Sequence, residues 1–180
     1  MAAIATEAIT GTWNADKVHS TVGFSVKYMG VQTFRGRFED FDAALEASED
    51  GKLVLTGRVA ADSIVVKDDN LAAHLKSPEF FDVERHPTIE FRSTLVRIEG
   101  NRLTVDGELT INGITKAVEG TGTISGPSDT PFGTTVVGVE VETIVDRTEF
   151  GLRWNAPLPK GGMVLANDVK LAVNLELIKA

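Results

Sequence analysis

The residues best suited to chemistry in this sequence are three well-separated histidines, His19, His74 and His86. No two of them have the HxxxH or HExxH spacing that brings imidazoles together on one helix face, and a zinc site needs three or four converging ligands. The chain contains no cysteine, which excludes disulfides, thiol nucleophiles, iron–sulfur clusters and zinc ribbons. We therefore expect no metal site and no catalytic residue of these types.

Motifs for nucleophilic catalysis and for phosphate binding are also absent. The chain has no GxSxG nucleophile elbow, no GxxxxGK[ST] loop and no GxGxxG fingerprint. The nearest glycine series runs from Gly120 through Gly122 to Gly126, in a region of strand pattern that no helix follows. The sequence thus predicts no nucleotide cofactor.

A few polar residues stand where apolar strands begin or end. Arg147 and Glu149 follow one strand pattern, His19 and Ser20 precede another, and His74 lies in a short helical segment. Two interpretations are open: these residues contact the polar head of a bound molecule, or they form surface ion pairs, brace the fold and solvate the helix. An acid–base role for His19, Arg147 or Glu149 in an isomerase or cyclase is a further alternative, although no paired carboxylate is visible.

Composition and charge narrow the function classes. The 180 residues are 42% hydrophobic and 24% charged, as in one globular domain. The 18 basic and 26 acidic residues give a net charge of −8, which argues against nucleic acid as a partner. No apolar run reaches the 18 residues of a membrane span. The first seven residues lack a basic region and end in Glu7, so we predict no secretory signal and a cytoplasmic location.

Alternation of apolar and polar residues with a period of two dominates the chain and predicts strands. Eight segments show it, and Asn112-Gly113 between the fifth and the sixth is typical of a two-residue hairpin turn. The predicted strands are residues 21–28, 34–41, 52–61, 88–98, 102–111, 116–124, 136–145 and 169–177.

One helix interrupts the strands. Residues 68–76 contain good helix formers after acidic capping residues, and Ser77-Pro78 ends the helix, which lies between strands three and four. Short connections favour an all-β, eight-stranded antiparallel barrel over a sandwich, because a closed sheet has no exposed edges. We expect a flexible segment over residues 1–10 and a single barrel domain over 11–180.

Glycines recur in phase with the apolar faces of the strands, as at Gly36, Gly57, Gly107 and Gly120. They either mark bulges and barrel corners or leave room for an apolar tunnel with an elongated guest. The adjacent Phe80 and Phe81 are expected to close one end. The residues predicted to line the interior are Phe24, Val26, Phe34, Phe38, Phe80, Phe81, Phe91, Leu109, Ile111, Val139, Val141, Leu171 and Val173.

Several ordered motifs resemble the YceI-like family of bacterial lipid-binding proteins. The longest is HLKSPEFFDV at residues 74–83, which continues with HPTIEF at 86–91. The other matching segments are residues 13–16 with His19 and Ser20, 36–38, 107–116 and 147–151. The resemblance covers about residues 11–178.

The resemblance implies a lipocalin-like barrel that holds a polyisoprenoid, an isoprenoid quinone or a fatty-acid-like molecule. Many members are periplasmic and some are dimers, so a homodimer is compatible with it. Many also carry an Arg–Asp pair before the helix histidine, where this chain has Ala72-Ala73. We predict non-catalytic lipid binding with no cofactor besides the lipid. The alternatives are a filled barrel that acts as a stress or interaction module, and the isomerase or cyclase.

Overall fold

The computed structural model describes residues 9–180, and most of these residues lie in antiparallel strands. One α-helix, α1 (Asp69–Lys76), and two short 3₁₀ helices, Ala61–Ser63 and Arg147–Phe150, complete the regular structure of this part of the chain. The strands are β1 (Gly11–Ala15), β2 (Thr21–Tyr28), β3 (Gln32–Phe38), β4 (Phe41–Ala47), β5 (Leu53–Ala60), β6 (Ile64–Val65), β7 (Thr88–Glu99), β8 (Arg102–Ile111), β9 (Ile114–Asp129), β10 (Thr135–Asp146) and β11 (Leu165–Lys179).

These strands close into an eight-stranded antiparallel barrel, because β1 with β2, β3 with β4, and β5 with β6 each form one interrupted barrel strand. β1 pairs with β4, β2 pairs with β3, and β6 extends the β5 position along β3. β11 closes the barrel: one edge pairs with β10, and the other pairs first with β2 and then with β1. The predicted fold class is confirmed.

The interrupted strands are where the prediction was incomplete. The pattern at 34–41 predicts one strand, but the chain breaks at Glu39 and Asp40 and continues as β4 to Ala47. β1 was also missed. Both segments carry few of the large β-branched or aromatic residues that mark a strand in a sequence. Pairing with neighbouring strands, rather than residue type, makes these segments extended.

The predicted helix is confirmed between the third and fourth barrel strands. The Asp68 side chain caps α1 by accepting a hydrogen bond from the Leu71 N–H at 2.8 Å. The chain then turns back tightly, since the Phe81 N–H donates to the Leu75 carbonyl at 3.0 Å. Within residues 9–180 no helix has the length and apolar character needed to cross a membrane.

A dense core fills the barrel end away from α1. Trp13 is fully buried there, and its Nε1–H donates to the Thr10 carbonyl at 3.1 Å. Residues 1–8 of the predicted flexible segment lie outside the described residues. Ile9 is buried in this core, two residues before the predicted boundary of the domain at residue 11.

Candidate functional site

The half of the barrel near α1 encloses a cavity of about 660 Å³. Alternate residues of the strands point into it, because side chains of a strand alternate between the two faces of the sheet. All thirteen apolar residues predicted to face inward line this cavity. Eleven of these residues lie on strands, and for them the alternation placed the inner face of the sheet correctly. The part that these residues play in binding remains a prediction.

The glycines on the inner faces do not simply leave empty space. A Cβ at Gly36 would lie 2.5 Å from Cζ of Phe24, and a Cβ at Gly107 would lie 2.5 Å from Cζ of Phe91. Each ring therefore lies over a glycine of another strand. The missing side chains at Gly36 and Gly107 make room for these rings, whereas a Cβ at Gly57 would meet no atom closer than 3.9 Å.

Aromatic side chains surround the cavity at the end covered by α1. The ring centroids of Phe24 and Phe38 are 6.0 Å apart, and Phe38 meets Phe81 edge-on at 5.7 Å. Phe80 is buried against Trp154, with centroids 5.6 Å apart. The segment after α1 thus covers the barrel end with aromatic rings.

His74 is one of the two predicted polar residues that the structure places at the cavity. Its ring meets Phe80 and Trp154 edge-on at 5.0 and 5.1 Å. Its Nε2 lies 2.5 Å from a carboxylate oxygen of Glu79, which is on the exposed side. His74 therefore presents ring atoms to the cavity while one nitrogen is already paired.

Arg147 also borders the cavity, but most of its donors are engaged. Its Nε donates to the Ala166 carbonyl at 2.8 Å, and Nη1 donates to the Leu152 and Trp154 carbonyls at 2.7 and 2.8 Å. Burial lowers the pKa of the guanidinium, and the nearby Asp146 carboxylate counteracts this in part. Arg147 braces the segment after β10 against β11, which is the second of the two interpretations left open by the sequence.

Three predicted polar contacts lie away from the cavity. His19 and Ser20 stand in the break between β1 and β2, where the chain bends towards β11. The Ser20 Oγ accepts from the Glu176 N–H at 3.0 Å, and His19 is exposed. Glu149 is exposed on the 3₁₀ helix after β10. The prediction of head-group contacts at these residues is wrong, because none of them lines the cavity: His19 and Glu149 are exposed, and the buried Ser20 is bonded to the β11 backbone.

Hydrogen bonds hold His19 in place. Its Nδ1 lies 2.7 Å from Oδ2 of Asp16 and 3.7 Å from Oε1 of Glu176. The Asp16 carboxylate raises the pKa of His19, and this same hydrogen bond lowers the pKa of Asp16. The side-chain atoms of these three residues that could bind a cation lie close together, but the Asp16–His19 hydrogen bond and the longer His19–Glu176 ion pair already account for the arrangement.

Part of the cavity wall escaped the sequence analysis. Leu152, Trp154, Val164 and Leu165 line the cavity, although residues 151–164 contain no strand alternation. A tryptophan among apolar residues in an irregular segment was the available signal. The Asn155 side chain fixes this segment, since its Nδ2 donates to the Leu165 carbonyl at 2.7 Å and its Oδ1 accepts from the Leu165 N–H at 2.9 Å.

Comparisons with known proteins agree with this architecture. The model of the YceI-like domain matches residues 13–177. A UPF0312 protein of Staphylococcus aureus (strain bovine RF122 / ET3-1) is 33% identical over 167 residues, which are 89% of this chain and 94% of the relative.

Two solved structures share the fold at low sequence identity. Burkholderia cenocepacia BcnA superposes with a TM-score of 0.74 at 20% identity, covering 92% of this chain and 99% of BcnA. A polyisoprenoid binding domain from Saccharophagus degradans superposes with a TM-score of 0.67 at 12% identity, covering 96% of this chain and all of that domain (100%). The match of the family model and the 33% identity with the Staphylococcus aureus relative establish that the chain belongs to the YceI-like family.

Proposed function

We propose that this protein binds one long apolar lipid, such as a polyisoprenoid, an isoprenoid quinone or a fatty-acyl chain, inside its barrel and does not convert it chemically. The observation that carries the proposal is the cavity of about 660 Å³, lined almost throughout by aliphatic and aromatic side chains. Its size falls within the range of about 300–1,000 Å³ that is usual for small-molecule sites.

The physical driving force is the transfer of the lipid chain out of water. Each buried methylene group contributes about 0.8 kcal/mol, so ten carbons contribute roughly 8 kcal/mol before losses. Lost translational and conformational freedom of the ligand offsets several kcal/mol of this. A chain of ten or more carbons is therefore long enough to bind with useful affinity without any strong polar contact.

Two further observations favour binding over the alternatives. His19 and Glu149, the acid–base residues that an isomerase or cyclase would use, lie outside the cavity, and the Arg147 donors point to backbone carbonyls. A filled interaction module would need side chains throughout the barrel, but the half near α1 contains a cavity. The description of one solved relative as a polyisoprenoid binding domain supports the same ligand class.

Denaturing mass spectrometry of protein purified without detergent tests the proposal. We expect a long-chain lipid in the organic extract at an amount approaching one molecule per chain. If the extract contains no apolar compound above the background of an unrelated protein, and added isoprenoid and fatty-acyl lipids also fail to bind, the proposal is wrong.

Charged substitutions inside the cavity provide the matched test. Val141→Arg and Leu171→Arg place a cation among apolar lining residues, so we expect both variants to lose the co-purifying lipid. Ile144→Arg is the control, because Ile144 lies on the same strand as Val141 but is exposed on the outer face. Circular dichroism checks that all three variants keep the strand content of the wild type.

A further inference from the structure

Exposed apolar residues gather where the cavity meets the surface. Tyr28 and Met29, at the turn between β2 and β3, line the cavity and are 41% and 42% exposed. Val31 in the same turn is 83% exposed, and Met163 is exposed in the neighbouring loop. We call these four residues the cavity rim.

The two segments of the cavity rim are joined by backbone pairing. The Met29 N–H donates to the Val164 carbonyl at 2.7 Å, and Tyr28 is the strand partner of Leu165. Val164 and Leu165 themselves line the cavity. The rim is therefore one continuous surface at the cavity opening and combines two parts of the chain that are far apart in sequence.

The two chain segments that carry the cavity rim are basic, whereas the whole protein is acidic. Residues 26–37 and 151–166 contain no Asp or Glu, in a chain with 26 acidic and 18 basic residues. The basic residues of these segments are Lys27, Arg35, Arg37, Arg153 and Lys160. Arg37 pairs with Glu39 at 3.0 Å, and the other four form no ion pair within the part of the chain that the structure describes.

Apolar side chains flanked by unpaired basic residues match the surface of an anionic bilayer. The apolar groups enter the boundary between headgroups and acyl chains, while lysine and arginine stay at the level of the phosphates. The other large apolar residues that are exposed within residues 9–180 do not surround the opening. Val18 lies at the β1–β2 break and Phe132 in a distant turn, and Leu95 and Ile144 lie on the outer wall.

We propose that the cavity rim docks on the surface of an anionic lipid bilayer, so that lipid passes between the bilayer and the cavity without crossing water. This inference rests on the proposed function, because it assigns the place where the lipid enters.

Sedimentation with vesicles tests the docking. We expect the wild-type protein to sediment with vesicles of equal parts phosphatidylcholine and phosphatidylglycerol at low salt, and much less with phosphatidylcholine alone. Each basic residue near an anionic membrane contributes about fivefold to affinity. The double variant Lys27→Glu/Lys160→Glu should therefore bind these vesicles at least tenfold more weakly.

Matched control variants remove the same kinds of side chain, basic and apolar, at the opposite end of the barrel. Lys52→Glu/Arg102→Glu alters the net charge by the same amount in the turn before β5 and at the start of β8, and should keep binding much closer to the wild type. Val31→Ser should weaken binding by about tenfold, since it removes an apolar group that inserts. Phe132→Ser, at a residue 89% exposed in the β9–β10 turn, should have little effect.

The outcomes separate this inference from the proposed function. If the protein carries lipid but does not sediment with anionic vesicles, or if the rim and control variants behave alike, the docking proposal is wrong and the binding function stands. Salt-sensitive vesicle binding that Val31→Ser weakens supports docking even if the purified cavity is empty. A dimer in sedimentation velocity without vesicles that Val31→Ser dissociates would assign the rim to a second copy of the chain and overturn the proposal.

Discussion

At the barrel end away from α1, Trp13, Leu103, Ile124 and Leu177 are buried against one another, whereas near α1 the same barrel strands surround a cavity. An eight-stranded barrel has an interior that side chains can just fill or that can hold one small ligand. In this molecule one end is filled by side chains and the other contains a cavity. The number of strands therefore does not decide whether the barrel is occupied by its own atoms.

The difference lies in where the large side chains point. Trp13 reaches into the interior from β1 and fills it. Phe24, on the second half of the same barrel strand, lies over Gly36 along the wall. Phe80 and Phe81, which come from outside the sheet, cover part of the end near α1. One end is thus closed by packing, whereas the other is only partly covered and opens at the cavity rim, which leaves space inside.

The largest expected difference between the two ends is in the response to the same deletion. Leu103→Ala in the packed end should lower the free energy of unfolding by about 4 kcal/mol, because contacts on all sides are lost. Leu171→Ala at the cavity should lower it by only about 1–2 kcal/mol, since part of that side chain already faces space without partner atoms. Urea unfolding of lipid-free protein measures both values. Equal losses would show that the cavity collapses when the lipid is absent.

Polar bracing is expected to matter more at the cavity end than apolar packing. Arg147→Gln leaves the carbonyls of Leu152 and Trp154 without their donor, and should lower the free energy of unfolding by about 3 kcal/mol. Arg153→Gln, at an exposed arginine in the same segment, should change it by less than about 0.5 kcal/mol. Chemical denaturation distinguishes the two, and similar small losses would contradict the bracing role.

Because the aromatic rings lie against glycine, we expect a glycine substitution there to have an intermediate effect on stability. Gly36→Ala should push the Phe24 ring off the wall, lower stability by about 1–3 kcal/mol and reduce the lipid that the protein retains. Gly57→Ala is the control, because its added Cβ would meet no atom closer than 3.9 Å. Thermal unfolding and lipid extraction give the two readouts. Retention of the full lipid content by Gly36→Ala would show that the ring position does not control the space.

The smallest expected effect concerns the bend that joins the packed and cavity halves of the first barrel strand. The pKa of His19 is raised by Asp16, so the stability that the protonated imidazole adds is present below its ordinary pKa of about 6.5. It is lost as the pH rises through the higher folded-state value. The melting temperature of wild type minus that of His19→Gln should therefore decrease over this interval. A pH-independent difference would exclude the ion pair as its cause.

Local residue patterns gave much of the fold and of the inner surface. Strict alternation in residues such as Val139 and Val141 fixes which side chains face inward, because a strand has only two faces. Alternation gave no guidance for His19, Ser20 and Glu149, which were predicted from their type at the ends of strands. Their types suit head-group contacts. For a residue outside a regular strand, however, the sequence does not indicate where its side chain points.

The sequence by itself determined an acidic, cysteine-free, antiparallel β-protein with one apolar face per strand and a short helix before a pair of phenylalanines. Periodicity and capping are local properties, so they can be read along the chain. Only the tertiary structure decided that Trp13 fills one end, that Trp154 and Arg147 complete the other, and that the rings of Phe24 and Phe91 lie along the wall. These outcomes depend on which strands become neighbours and at what register, and contacts between residues far apart in sequence fix both.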